Sequence, residues 1–80
     1  MTDKDFIKQY NEVKEKYEGK SVEEIRDFFG HNITNDNGEY IDTNYKDILV
    51  TFSIKDGKGY LSNMVEKYNK EGIFLGVIYA

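Results

Sequence analysis

Eighty residues with no Cys, no Pro and a single His describe one small domain, 1–80, that has to fold on packing alone. Disulfides, thiolate zinc sites and Cys nucleophiles are excluded together. The net charge of −4 argues against wrapping a nucleic-acid backbone, which is driven by Lys and Arg.

The opening MTDKDFIKQY is charged and has no apolar run after it, so it does not read as a signal peptide. No stretch of about 18 apolar residues marks a membrane span. With no Cys, the expectation is a cytoplasmic protein that does not engage membranes.

The first element is a helix. Phe6, Ile7, Tyr10, Val13 and Tyr17 recur at three- and four-residue spacing and share one face. Thr2 or Asp3 can cap its start, and Gly19 ends it. Glu12 and Lys16 stand at the favourable i, i+4 order on the wet side. A second, shorter helix follows, with Ser21 and Glu24 as a capping box, Val22, Ile25, Phe28 and Phe29 as its stripe, and Gly30 as its stop. Two or three turns are not stable alone, so this helix must lean on something.

Residues 31–47 read as turns and short extended pieces, with a hairpin of NIT against EYIDT around the tight-turn pair Asn37-Gly38. ILVTFSI, residues 48–54, alternates as a strand, and KDGKG then makes a turn. YLSNMVEKYNK fits a helix, with Tyr60, Met64, Val65 and Tyr68 on one face, or a strand of an antiparallel meander. Its turn-like flanks favour the strand. The chain closes on GIFLGVIYA, residues 72–80, without a charged side chain. Such a run is either a strand covered on both faces or a strand with one face left for a partner. The first is the commoner case, and Gly76 within it suggests a bulge.

No set of residues carries obvious chemistry. His31 has no partnered nucleophile or carboxylate in its spacing. NITNDNGEYIDTN resembles a calcium loop but has Ile33 at the first ligand position and Asn44 where a bidentate Glu belongs. DGKGY lacks the full phosphate-binding glycine pattern. Catalytic residues, metal ligands and cofactors are all expected to be absent. What stands out is distribution. Residues 21–47 hold seven acidic and two basic side chains, a net of −5, whereas the rest of the chain holds eight acidic and nine basic. Seven Tyr and no Trp add rigid apolar bodies with polar tips, suited to recognition. Glu23, Glu24, Asp27, Asp36, Glu39, Tyr40, Asp42 and Tyr45 are the candidate protein-binding residues.

The order helix, SVEEIRDFFG, extended YIDTNYKD, then ILVTFSIKDGKGYLS resembles the small helix-helix-sheet domains of the beta-lactamase-inhibitor-protein and SmpA/OmlA type. The likeness rests on the second helix ending in Gly30 and on the strand-turn-strand unit around Asp56, Gly57 and Lys58. It covers residues 5 to 65. Many members are secreted or lipid-anchored, and this chain shows neither a signal peptide nor a lipobox Cys. The resemblance implies a noncatalytic domain that binds other proteins, and carries over no functional residue.

The expected fold is α+β: two N-terminal helices packed on a three- or four-stranded antiparallel sheet. Its core would draw on Phe6, Tyr10, Val13, Val22, Ile25, Phe29, Ile48, Val50, Phe52, Ile73, Leu75 and Val77. The expected function is a non-enzymatic inhibitor or modulator of a larger protein. In a specific form it is a phage-type, anti-CRISPR-like inhibitor whose acidic third opposes the basic groove of a nucleic-acid-processing protein. The alternative is an assembly module that forms a homodimer through residues 72–80.

Overall fold

The computed structural model describes residues 2–80. Two helices, α1 (Asp3–Tyr17) and α2 (Val22–Phe29), precede a single 3-10 turn (Gly30–Asn32) and six strands. These are β1 (Ile33–Asp36), β2 (Tyr40–Tyr45), β3 (Ile48–Lys55), β4 (Lys58–Leu61), β5 (Met64–Tyr68) and β6 (Phe74–Tyr79). All pairings are antiparallel, in the order β1-β2-β3-β5-β6, with β4 also on β3.

The fold is α+β as expected, but the strand count of three or four is too low. The eight-residue β3 takes two partners end to end along one side. Its last four residues pair with β4, and Ile48 and Leu49 pair with β5. The chain passes from one to the other at Ser62-Asn63, where the Ser62 amide donates to the Thr51 carbonyl at 2.8 Å. Residues 60–70 are therefore strands, not helix, but two of them rather than one.

Local chemistry starts each helix. The Asp5 carboxylate accepts from the Thr2 amide at 2.9 Å, and the Ser21 hydroxyl accepts from the Glu24 amide at 3.2 Å, so each satisfies a backbone donor that the helix leaves free. The expected Glu12–Lys16 pair is replaced. Glu12 accepts instead from the Tyr45 hydroxyl at 3.1 Å and the Lys46 ammonium at 2.9 Å, fastening α1 to the β2–β3 turn. Together these two donors, Lys46 first, hold the Glu12 carboxyl below its ordinary pKa.

Both helices lie on the same face of the sheet. Phe6, Tyr10 and Val13 from α1 and Val22, Ile25 and Phe29 from α2 are buried with Ile41, Ile48, Val50, Phe52 and Val65. Fully burying side chains of this kind is worth about 1.5–3 kcal/mol each. The Phe29 ring sits 5.8 Å from that of Phe52 and 5.5 Å from that of Tyr17. Gly59 of β4 lets α2 approach closely: a Cβ there would collide with the end of the Ile25 side chain. Burial raises the Tyr10 hydroxyl pKa, with Glu18 adding to the effect.

Ile73, Leu75 and Val77 do not join this core; all three are exposed. The helices centre over β2, β3 and β4, and β6 lies beyond β5 at the sheet margin. Of its side chains only Ile78 packs against the core. No helix among the described residues is long and apolar enough to cross a membrane.

Candidate protein-binding surfaces

The acidic third of the chain does not fold into one surface. Glu23 and Asp27 lie exposed on α2, while Glu24 is engaged at the cap, its carboxylate accepting from the Ser21 hydroxyl at 3.3 Å. Asp36 pairs with Ile41, whose side chain is buried under the helices. Its carboxylate receives Arg26 of α2 in two bonds of 2.7 and 3.1 Å. That guanidinium holds the Asp36 carboxyl below its ordinary pKa. Tyr45 also stands on the helix side, its ring 6.4 Å from Phe29.

Tyr40 and Asp42 alternate with Ile41 and Thr43 and so face the opposite, uncovered side of the sheet. There Asp42 accepts from the Thr51 hydroxyl at 2.7 Å. Glu39 sits at the β1–β2 turn, where Asn37 accepts the Glu39 and Tyr40 amides. The eight candidate residues are thus divided among α2, the two faces of the sheet and the β1–β2 turn.

Among the described residues, no group of three or more His, Cys, Asp or Glu is placed to hold a metal ion. His31 is exposed on the 3-10 turn.

The feature that sequence reading assigned to the core is the most exposed apolar surface of the molecule. The turn before β6 is closed by Asn69, whose side-chain oxygen accepts the Glu71 and Ile73 amides at 3.0 and 2.9 Å. Beta-branched and aromatic side chains then carry the chain into a strand. Its register is Met64 with Tyr79, Val65 with Ile78, Glu66 with Val77, Lys67 with Gly76 and Tyr68 with Phe74, with Leu75 as the extra residue of a bulge. Gly76 follows at φ +121°, a conformation that side chains other than glycine's rarely adopt.

Exposure is 60% at Ile73, 53% at Phe74, 49% at Leu75, 42% at Val77 and 71% at Tyr79. Tyr68 on β5 extends this surface, with its ring 5.7 Å from that of Phe74. Its hydroxyl donates to Glu66, the residue opposite Val77, at 2.8 Å.

The backbone of β6 is also half-free. The Ala80 amide donates to the Asn63 carbonyl at 2.8 Å, directing Ala80 toward β5. Peptide groups alternate along an antiparallel ladder, so Ile78 and Gly76 also point inward, and Val77 and Tyr79 point their N–H and C=O outward from the sheet. A six-residue apolar strand with open donors and acceptors can accept another strand and cover it with side-chain contacts.

The chain matches no family model, no curated protein and no solved structure in the comparisons made.

Proposed function

We propose that this chain is a small non-enzymatic binding module that modulates another polypeptide by strand addition to β6. One observation carries the reading: the strand has no charged side chain, exposes four large apolar ones with Ile73 exposed just before it, and ends the sheet with its outward backbone unpaired. In strand addition, main-chain hydrogen bonds provide affinity and the alternating side chains provide selectivity. The helix-helix-sheet resemblance supports the same class of function, a noncatalytic domain acting by contact.

A second reading keeps the acidic surface as the contact, against the basic groove of a larger nucleic-acid-processing protein. Its support is that Glu23 and Asp27 are exposed on α2 and make no salt bridge among the described residues. Capture of partners with three forms of the tagged chain separates the two readings. Strand addition predicts that Val77→Lys loses the partner, while the double variant Glu23→Lys/Asp27→Lys keeps it through a high-salt wash. Loss with the double variant and with salt, but not with Val77→Lys, assigns the contact to the acidic helix face.

A further inference from the structure

We infer that the strand added to β6 is the β6 of a second copy, paired antiparallel about a two-fold axis to give one continuous sheet across the dimer. This rests on the strand-addition reading and names its occupant.

Three observations favour a second copy. The first is charge. Each copy carries −4, so most ways of bringing two copies together oppose like charges. From Gly72 to Ala80 there is no charged side chain, so this is the edge on which a copy meets itself without placing charge against charge. The other sheet margin, β1, presents Asp36, and β4 begins at Lys58.

The second is register. Val77 and Tyr79 carry the outward backbone groups. A two-fold at Val77 opposes that residue to its own copy in a hydrogen-bonded pair and sets Tyr79 against Leu75 of the other chain. Every cross-strand pair is then apolar, which a self-complementary contact requires.

The third is area. At ordinary side-chain sizes, the exposed parts of Phe74, Leu75, Val77 and Tyr79, the residues inside that register, amount to roughly 500 Å². That is within the range of the largest apolar patch on a typical monomer and sets the ceiling on what pairing covers there, below the about 800 Å² per partner of a standard interface. Pairing also removes the long apolar edges and leaves the short polar β1 edges at the ends of the joined sheet, the outer side of β4 being met by residues 19–21.

Sedimentation of the purified chain at micromolar concentrations tests this. The expected species has twice the 9.4 kDa chain mass, and association strengthens with salt, because salt screens the like net charges. Val77→Lys should raise the dimer dissociation constant at least about tenfold and leave the far-UV circular dichroism unchanged.

Geometry is tested by Val77→Cys in this Cys-free chain. The Cα atoms of a hydrogen-bonded antiparallel pair are about 5.5 Å apart, within disulfide reach. Oxidised glutathione should link two copies through position 77, with reduced glutathione as the co-product, while Asp27→Cys stays unlinked. A wild-type monomer throughout the concentration range, or a dimer that Val77→Lys leaves intact, overturns the inference. A monomer whose captured partner is lost with Val77→Lys overturns the self-pairing alone and leaves strand addition standing. A monomer whose partner capture is indifferent to Val77→Lys overturns both.

Discussion

The two margins of the sheet solve the same problem in opposite ways. β1 is four residues long, bulged at Thr34 between its Ile33 and Asn35 pairings, rich in polar side chains, and tied to α2 by the Arg26–Asp36 pair. Each of these features discourages another strand from pairing. β6 is longer, uncharged and apolar, and its bulge at Leu75 lies near its start, leaving Val77 and Tyr79 in regular register. In one molecule of marginal core size, one edge is protected and the other is left receptive. That asymmetry supports the proposal of binding at β6.

The largest expected effect shows what the two margins share. Ile41 on β2 stands beside the protected edge and Val65 on β5 beside the receptive one, and both are fully buried. Ile41→Ala should cost about 2–5 kcal/mol and Val65→Ala somewhat less, read by urea denaturation. If Val65→Ala proved neutral, β5 would not be anchored and β6 would have no firm support.

Lysine at each margin gives the contrast itself. Val77→Lys should weaken association at least about tenfold, whereas Asn35→Lys on β1 should leave it unchanged. In both variants thermal unfolding of the monomer should move by no more than about 0.5 kcal/mol, as for ordinary exposed sites. Equal effects on association from both lysines would erase the distinction between the edges.

Gly76→Ala sharpens it further. No atom stands within 4 Å of the added Cβ, but φ is +121°, so the penalty is conformational, about 1–3 kcal/mol. It should show as early fraying of β6 in amide exchange, with β1 undisturbed.

The smallest effect concerns pH. Arg26 depresses the folded-state pKa of Asp36. This pair therefore contributes stability that is fully present above the unfolded carboxylate value, about 3.9, and is lost as pH falls through the lower folded value. Arg26→Ala should flatten that acid-side slope slightly, the pair being solvent-exposed. The β6 contact has no carboxylate of its own, so dimerisation should hold steady from neutral pH to about 5, where ordinary carboxylates remain ionised.

Local patterns were legible in the sequence where neighbours in the chain decide them. The two helices, the Ser21 cap, the β1–β2 hairpin and the alternation of β3 all follow from spacing and turn chemistry. Most of the expected core is buried for the same reason. Depth within the sheet was not legible. The run IFLGVIY has the composition of a central strand, and only its pairing order places it at the margin, past the reach of α1 and α2. Ile41, between Tyr40 and Asp42, and Val65, between Met64 and Glu66, are buried because their strands lie inside that order. The acidic cluster was legible as composition but not as a surface, since alternation along β2 sends Asp42 and Ile41 to opposite faces.

Residue-resolved amide hydrogen exchange across a concentration series tests β6 as the binding edge most directly. The Val77 and Tyr79 amides point outward, so strand pairing predicts that their protection rises with protein concentration while the outward-facing Asp36 amide on β1 stays constant. Fast exchange at Val77 and Tyr79 at every concentration, with and without a captured partner, would contradict it.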